Sequence, residues 1–156
     1  MTIRAIMACD INGGVAKNGT LPWPKSKEDF TIFKNYTMKQ TVLMGSKTWF
    51  DPAFPKPLKD RYTIVLSSRD KFEYADFVTC GTPNYIINQI GKDFIVIGGA
   101  DVFGQFFDHI EHMSLSMFNK DYECDTFIPI YDILHYFGVN SKTKYENFTH
   151  YLLERK

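Results

Sequence analysis

The order of apolar and polar positions along the chain predicts strands that alternate with helices. Helical patterns begin near Ser26, Lys47 and Pro83 and after Gly99. Short apolar runs that fit strands separate them, at residues 3–9, 41–44, 62–66, 77–79 and 94–97. Several of these runs carry β-branched residues on both faces, which is typical of a sheet covered by helices on both sides. The pattern therefore predicts an α/β domain.

The pattern changes in the last third of the chain. Polar and apolar residues alternate over residues 113–119 and in part of residues 148–153. A period of two is typical of strands with one solvent-facing side, so these segments predict an antiparallel strand pair that completes the sheet. The chain has 156 residues and shows no repeat or linker, so we expect one domain over residues 1–156.

Asp29 lies on the apolar side of the first predicted helix. Four residues at i, i+3, i+4 and i+7 share that side: Asp29, Ile32, Phe33 and Tyr36. A carboxyl group that points inward needs a partner, and its burial beside Phe30 and Phe33 predicts a raised pKa. Such a group could hold a polar heterocycle.

A purely structural role for Asp29 is also open at this point. Ser26-x-x-Asp29 fits a capping box, in which Ser26 caps the helix and the Asp29 side chain reaches back to the Ser26 N–H. Three features favour chemistry instead. Glu28 can supply charge to the helix N-terminus from the outer face, prolines stiffen the helix entry beside Trp23, and aromatic residues flank the acid.

Three predicted strand ends carry residues suited to phosphate groups. They are Gly98-Gly99 before a helix, Gly45-Ser46-Lys47-Thr48 with its cation, and Ser67-Ser68-Arg69 with two hydroxyls and an arginine. Each segment alone also fits an ordinary turn, and Gly98-Gly99 is not the Gly-x-Gly-x-x-Gly dinucleotide fingerprint. Together they lie where open α/β sheets bind ligands, at the carboxyl ends of strands.

Composition and charge exclude several classes of function. The 18 Lys and Arg residues balance the 18 Asp and Glu residues, which argues against nucleic acid or an anionic membrane as a partner. No apolar run approaches the roughly 20 residues of a membrane span and no signal peptide is evident, so we expect a cytoplasmic protein. The absence of an excess apolar stripe predicts a monomer.

Cysteine and histidine usage predicts neither disulfides nor a metal site. Cys9, Cys80 and Cys124 are odd in number and far apart, so we expect three free thiols that act as packing residues. The four histidines have no matching carboxylates or thiols at metal-ligand spacing.

A series of short motifs, taken in their order along the chain, resembles the dihydrofolate reductase family over nearly the whole sequence. The motifs are Ile6-Met7-Ala8, residues 17–23, Asp29 with Phe33, and residues 44–49, 57–61, 66–69, 96–99 and 125–129. The resemblance implies a mixed, mostly parallel eight-stranded sheet with helices on both faces and an antiparallel C-terminal strand. It also implies reduction of dihydrofolate with NADPH, in support of one-carbon metabolism and thymidylate synthesis, and inhibition by antifolates such as methotrexate or trimethoprim.

The resemblance assigns roles at the substrate. Asp29 would hold the amino group and ring nitrogen of the pteridine, supported by Ser116, which stands where the family has a threonine. Trp23 would help to position the water that relays a proton toward N5, and Arg61 would pair with the glutamate carboxylate. The other residues implied to line the substrate site are Ile6, Met7, Ala8, Leu21, Phe30, Phe33, Leu58, Ile97 and Phe103.

The resemblance also assigns roles at NADPH. Val15 and Ala16 would touch the nicotinamide from the loop between Asn12 and Pro24, whose glycines suit a moving lid. The adenosine 2′-phosphate would lie among Ser46, Ser67, Ser68 and Arg69. The pyrophosphate would lie between Lys47 and Thr48 on one side and residues 98–102 on the other. The remaining residues implied to contact the cofactor are Ala8, Gly45, Leu66, Ile97, Gly98, Gly99, Ala100, Asp101, Val102, Phe103 and Thr126.

Besides Ser116, five positions depart from the usual family residues. They are Ala16 and Ala100, where glycine is common, Ser46, often basic, Pro52, usually isoleucine, and Phe103, often tyrosine. The serine at position 46 places more of the selectivity for a 2′-phosphate on Arg69. These departures bear on turnover rate and inhibitor sensitivity more than on the reaction.

Two other functions stay open on the sequence. A pyrimidine reductase of the riboflavin pathway would share the fold and NADPH, but it would not need Leu21-Pro22-Trp23 with Asp29, or Arg61. A non-catalytic binding protein that kept the fold is the second alternative. The presence of both the acid and the arginine argues against it.

Overall fold

The structure, a computed structural model, describes residues 2–51, 54, 56, 58–69 and 72–156. Pro52, one of the departures from the family pattern, and Pro57, the first residue of a family motif, lie outside the described residues. Among the described residues, no helix combines the length and the apolar composition that crossing a bilayer requires.

Strands and helices alternate along most of the chain, as the hydrophobic pattern predicts. The first half contains β1 (Ile3–Cys9), β2 (Gly14–Ala16), α1 (Lys27–Thr37), β3 (Thr41–Gly45), α2 (Ser46–Phe50), β4 (Tyr62–Leu66) and β5 (Phe77–Thr79). The second half contains α3 (Pro83–Ile90), β6 (Ile95–Gly98), α4 (Ala100–Phe106), β7 (Ile110–Phe118), β8 (Thr126–Phe127), α5 (Ile130–Tyr136), β9 (Phe137–Lys144) and β10 (Phe148–Arg155). A 3-10 turn at Phe107–His109 joins α4 to β7.

The main sheet has eight strands in the order β5-β4-β3-β6-β1-β7-β10-β9. Every neighbouring pair from β5 to β7 is parallel, whereas β10 runs antiparallel to both β7 and β9. Strands β2 and β8 form a separate antiparallel pair. The expected mixed, mostly parallel eight-stranded sheet with an antiparallel C-terminal strand is therefore confirmed.

Four elements, β2, β8, α5 and β9, were not predicted from the sequence. Strands β2 and β8 have only three and two residues, too few to show alternation. Residues 140–144 of β9 are all polar and exposed, so they lack the alternation that marks a half-buried strand. This strand lies at the edge of the sheet and pairs with β10 alone. Helix α5 has only seven residues, too few to display a clear helical period.

Side-chain caps fix the starts of two helices. The Ser26 hydroxyl oxygen accepts a hydrogen bond from the Asp29 N–H at 3.2 Å and so caps α1, as predicted. The Thr82 hydroxyl accepts from the Tyr85 N–H at 3.2 Å and caps α3 in the same way. Because the cap fixes where α1 begins, it also fixes which way Asp29 faces.

Strand β1 divides its side chains between the two faces of the sheet. Ala5, Met7 and Cys9 belong to the largest apolar cluster, which also contains Phe103 and Phe106 of α4. Successive side chains of a strand point to opposite faces, so Ile6 and Ala8 face the other way, toward α1. Ala8 packs there with Ile32 and Trp23. The pocket that contains Asp29 lies on this second face.

The cysteines are free, but one prediction about them is wrong. Cys9 is buried and Cys124 is partly buried, in agreement with a packing role. Cys80 follows directly after β5 and is exposed, so it does not act as a packing residue. A residue one position past a strand end leaves the sheet surface, and the sequence spacing does not reveal that.

Candidate active site

The Asp29 carboxyl group is partly buried and hydrogen-bonds to Ser116. Ser116, 3% exposed, lies on β7 directly opposite Ala8 of β1, so the sheet holds it under the first turn of α1. Burial raises the pKa of Asp29 above its ordinary value, and the hydrogen bond to Ser116 offsets part of that rise. The inward carboxyl group that the helical spacing predicts is therefore present, with a raised pKa. Ser26 caps the helix through the Asp29 N–H. Among the described residues the Ser26 N–H has no hydrogen bond to the Asp29 side chain, so the second half of the capping box is absent and the carboxyl group faces the pocket.

Trp23 closes one side of this region. It is 7% exposed and stacks on Phe118, with ring centroids 4.8 Å apart and planes 12° apart. Tyr122 meets the Trp23 ring edge-on at 5.8 Å. Phe118 is the last residue of β7 and Tyr122 follows that strand, so the indole position depends on a segment far along the chain. The sequence did not identify Phe118 or Tyr122 as partners.

Arg61 is held against the far end of α1. Its Nη1 donates to the Thr37 hydroxyl oxygen at 3.1 Å, and its Nε donates to the Lys59 carbonyl at 3.0 Å. The Thr37 hydroxyl in turn donates to the Phe33 carbonyl at 2.8 Å. With a rise of about 1.5 Å per residue, Thr37 lies about 12 Å along the helix from Asp29. One helix therefore positions an acid at one end and a guanidinium at the other.

Apolar side chains lie between these two charged groups. Leu58 is buried in a cluster against which Phe33 and Ile97 pack, and Ile97 shares the α1 side of the sheet with Ile6 and Ala8. Leu21 and Phe30 are more exposed, at 54% and 58%. The four residues of the predicted helical stripe, at positions 29, 32, 33 and 36, are partly buried. The fully buried residue of α1 is Thr37, which lies outside that stripe.

Three residues predicted at the site are buried in the apolar core instead. Met7, Val15 and Phe103 belong to the large apolar cluster, and Phe103 has no exposed surface. The Met7 side chain therefore cannot form one wall with Ile6 and Ala8, because adjacent strand residues point to opposite faces. This corrects the expectation for Met7. The structure gives Phe103 no open face toward the Asp29 pocket either.

The three predicted phosphate segments come together at one edge of the sheet. In the register of the sheet, Gly45 lies directly opposite Leu66, and Met44 lies opposite Gly98. The carboxyl ends of β4, β3 and β6 are therefore neighbours, and their loops leave the sheet side by side. Ligands bind at this edge in open α/β sheets.

The loops at this edge approach so closely that glycine is required. A Cβ atom on Gly98, which has φ +138°, would lie 3.0 Å from the Thr48 hydroxyl oxygen. A Cβ atom on Gly45 would lie 2.9 Å from Val102 Cγ2. The peptide bond between Gly98 and Gly99 is cis. The predicted cofactor residues on α2 and at the start of α4 are thus in contact.

Arg69 lies at the outer end of this edge. The backbone N–H of Arg69 donates to the Ser67 hydroxyl oxygen at 3.1 Å. Its guanidinium lies 5.9 Å from the centroid of the exposed Phe50 ring. Ser68 is also exposed, Ser46 is partly buried and Lys47 is exposed. The hydroxyl groups and cations predicted to bind a phosphate are thus partly or fully exposed, with Ser46 and Lys47 at the start of α2 and Arg69 beside its last residue, Phe50.

The start of α4 offers backbone more than side chains to an anion. Ala100 is partly buried, while the exposed Asp101 accepts a hydrogen bond from Gln105 Nε2 at 3.2 Å. A carboxylate repels a phosphate group, so Asp101 could assist a pyrophosphate only through its N–H. An open groove of about 620 Å³ lies beside this turn, lined by Ala100, Asp101, Gly104, Gln105, Phe127, Ile128 and Pro129. Among the described residues, none that line it belongs to α1.

The loop between Asn12 and Pro24 is joined to residues 119–127. Ala16 pairs with Thr126 across β2 and β8, and the Ala16 carbonyl accepts from the Asp125 N–H at 2.9 Å. The Asp125 Oδ2 accepts from the Asn18 N–H at 2.8 Å. Thr126 is exposed beside the loop that carries Val15 and Ala16.

Asp10 is a buried acid that the sequence did not single out. It follows β1 directly, is 0% exposed, and accepts hydrogen bonds from both of the segments just described. The available signal was the pattern Asp10-x-Asn12-Gly13-Gly14, since aspartate before such a turn commonly accepts a hydrogen bond from the backbone N–H two residues further on.

In the described part of the chain, no group of three or more His, Cys, Asp or Glu residues could hold a metal ion.

Comparisons with known proteins agree with the geometry. The family model for dihydrofolate reductase matches residues 2–153. A viral dihydrofolate reductase of Saimiriine herpesvirus 2 is 30% identical, covering 99% of this chain and 84% of its own length. Dihydrofolate reductase of Rattus norvegicus is 32% identical, covering 86% and 82%, and dihydrofolate reductase type 8 of Escherichia coli is 27% identical, covering 99% and 96%.

The fold has a close match among solved structures. A dihydrofolate reductase from Enterococcus faecalis, complexed with NADP(H) and RAB-propyl, superposes with a TM-score of 0.80 at 23% identity. The match covers 99% of this chain and 96% of that one. The sheet order, the pocket beside α1 and the family model point the same way, and the chain belongs to the dihydrofolate reductase family.

Proposed function

We propose that this protein catalyses the reduction of 7,8-dihydrofolate to 5,6,7,8-tetrahydrofolate with NADPH. Hydride is transferred to C6 and a proton is added at N5. The observation that carries the proposal is the Asp29 carboxyl group, which has a raised pKa and is held by Ser116 on the face that carries Ile6 and Ala8. Membership of the family supports it.

The residues present fit the substrate along the length of α1. Asp29 would hold the polar edge of the pterin, while Phe33, Leu58 and Ile97 enclose its apolar faces. Arg61, about 12 Å further along the helix, would pair with the glutamate carboxylate. A group with a raised pKa holds its proton at higher pH, so Asp29 can favour protonation at N5 through a water positioned beside Trp23.

The residues at the sheet edge fit a phosphorylated dinucleotide. The contact of Thr48 with Gly98 and Gly99 forms a cradle that any larger side chain would fill. Ser46, Ser67, Ser68 and Arg69 supply hydroxyl groups and a cation for a 2′-phosphate. NADPH, when bound, supplies the hydride. The chain's own part is to hold the two ligands in register and to keep water away from the reacting carbon.

We further propose that the chain acts in the cytoplasm, as a single-domain monomer. Its zero formal net charge supports the absence of a nucleic-acid partner. Antifolates such as methotrexate or trimethoprim would compete with dihydrofolate, because a diaminopyrimidine ring presents the same donors to Asp29.

The test is to follow NADPH oxidation with dihydrofolate in the wild type and in Asp29→Asn. Asparagine keeps the size and the hydrogen bond to Ser116 but cannot hold the proton, so we expect turnover to fall about 10²–10⁴-fold. Far-ultraviolet circular dichroism checks that the variant is folded. Equal rates would remove Asp29 from the mechanism, and no turnover in a folded wild type would favour a non-catalytic binding protein.

A further inference from the structure

Asp10 is a carboxylate enclosed by the protein, and two separate chain segments donate to it. Its Oδ1 accepts from the N–H groups of Asn12 and Gly14 at 2.9 and 2.8 Å. Its Oδ2 accepts from the Tyr122 N–H at 3.0 Å, and the Cys124 thiol also donates to the carboxylate. Burial by itself would raise the pKa of Asp10, but these donors together hold the pKa below its ordinary value. The ionised carboxylate is the form that this set of donors requires.

The two segments are the ones that carry the loop beside the predicted nicotinamide site. Gly14 begins β2, which contains Val15 and Ala16. The segment with Tyr122 and Cys124 continues into β8, which pairs with β2. The Ile128 N–H also donates to the Gly13 carbonyl at 2.9 Å. Bonds between the two segments join them to one another, and Asp10 joins both to the end of β1.

The position of Asp10 makes this join relevant to the reaction. Ala8, two residues earlier on β1, lies directly opposite Ser116, the partner of Asp29. The N–H of Tyr122 donates to Asp10, and the Tyr122 ring packs edge-on against Trp23 with ring centroids 5.8 Å apart. Asp10 therefore fixes Trp23 and the β2 residues relative to the strand beneath the substrate pocket.

We propose that Asp10 is a positioning residue for hydride transfer, which holds the loop between Asn12 and Pro24, together with residues 119–127, in register with β1. The proposal rests on the proposed function, since it concerns the geometry in which that reaction proceeds. Positioning matters because displacing a reacting group by about 1 Å costs on the order of 10²-fold in rate.

The sharpest variant is Asp10→Asn. An asparagine oxygen can still accept from Asn12 and Gly14, but the amide nitrogen is a donor and cannot accept from the Tyr122 N–H. The variant therefore separates residues 119–127 from β1 and leaves the first turn intact. Asp76→Asn is the matched control, because Asp76 also accepts from a backbone N–H, that of Thr63 at 2.7 Å, on the β4–β5 side of the sheet.

Single-turnover hydride transfer and dihydrofolate affinity are measured separately in the wild type and both variants. We expect Asp10→Asn to slow hydride transfer at least tenfold while the dissociation constant for dihydrofolate changes less than threefold. Hydrogen exchange at the Tyr122 amide should be faster in Asp10→Asn, whereas exchange at the Gly14 amide should match the wild type. Asp76→Asn should match the wild type in hydride-transfer rate. A purely structural role for Asp10 would lower the unfolding midpoint and leave the rate of the folded enzyme unchanged.

Each outcome decides the proposal. A wild-type hydride-transfer rate in folded Asp10→Asn would overturn the positioning role and leave the proposed function standing. No hydride transfer in the wild type would overturn both. If Asp10→Asn does not fold, Cys124→Ala carries the test, since it removes one donor to Asp10 and keeps the three backbone donors. We then expect a two- to fivefold slower transfer with unchanged dihydrofolate affinity, and a wild-type rate would overturn the proposal.

Discussion

Individual residues at this site act through partners that are distant in sequence. Asp29 owes its raised pKa to burial on α1, but the group that moderates the rise is Ser116 on β7. Arg61 is oriented by Thr37, which itself belongs to α1. Each of these two charged side chains thus has a hydroxyl group as its neighbour, Ser116 for Asp29 and Thr37 for Arg61.

At the residue scale, removing the Ser116 hydroxyl should raise the pKa of Asp29 further. The hydrogen bond favours the ionised carboxylate, so its loss in Ser116→Ala favours the protonated form. Hydride transfer that depends on protonated Asp29 falls as pH rises through this pKa, so that decline should move to higher pH. Ser116→Thr, which keeps the hydroxyl, should retain the wild-type profile. A profile that does not move in Ser116→Ala would contradict the role given to Ser116.

Elements position the site through their ends. Helix α1 begins at a side-chain cap and carries Asp29 in its first turn and Thr37 at its last residue. The strands β4, β3 and β6 end side by side, which brings together loops separated by tens of residues. The helix end decides where the acid points, and the strand ends bring together the loops that we propose to bind phosphate.

At the element scale, two matched caps separate stability from function. Ser26→Ala and Thr82→Ala each remove a hydroxyl that accepts from a helix N–H at 3.2 Å, so each should cost about 1 kcal/mol in the free energy of unfolding. Only Ser26→Ala loosens the turn that holds Asp29, so only this variant should weaken dihydrofolate binding. Urea unfolding and steady-state kinetics give the two readouts. Equal effects of both variants on substrate binding would show that the α1 cap does not position Asp29.

For the whole molecule, the buried Asp10 and the partly buried Asp29 contribute to stability with opposite signs. The pKa of Asp10 is lowered in the folded state, because its hydrogen-bond donors outweigh burial, so its contribution is present above the ordinary pKa of about 4 and is lost as pH falls through the lowered value. The pKa of Asp29 is raised mainly by burial, so its ionised form opposes folding at neutral pH and that cost disappears in acid. Asp29, the acid proposed to act in catalysis, is therefore held in its ionised form at a cost to the free energy of unfolding.

These signs give a prediction for pH-dependent unfolding. Asp29→Asn should be more stable than the wild type at pH 7, and the difference should vanish as pH falls below about 4. Asp10→Asn should be less stable at pH 7, with a difference that also shrinks in acid. The urea midpoint measured at several pH values for the three proteins checks both. A destabilised Asp29→Asn at pH 7 would show that the Asp29 carboxylate is not held at a cost.

Most strands of the main sheet, the start of α1 and the fold class could be predicted from the sequence, because hydrophobic period and capping residues act within one or two turns of the chain. The strand ends rich in glycine, hydroxyl groups and cations could also be predicted, because each is a short run of consecutive residues. The resemblance to the family had already indicated Ser116 as the support of Asp29. Only the tertiary structure decided that Met7 lies on the face of the sheet away from the Asp29 pocket and that Asp10 joins two loops. Those relations depend on strand order and register, which the packing of the whole sheet fixes and no local pattern encodes.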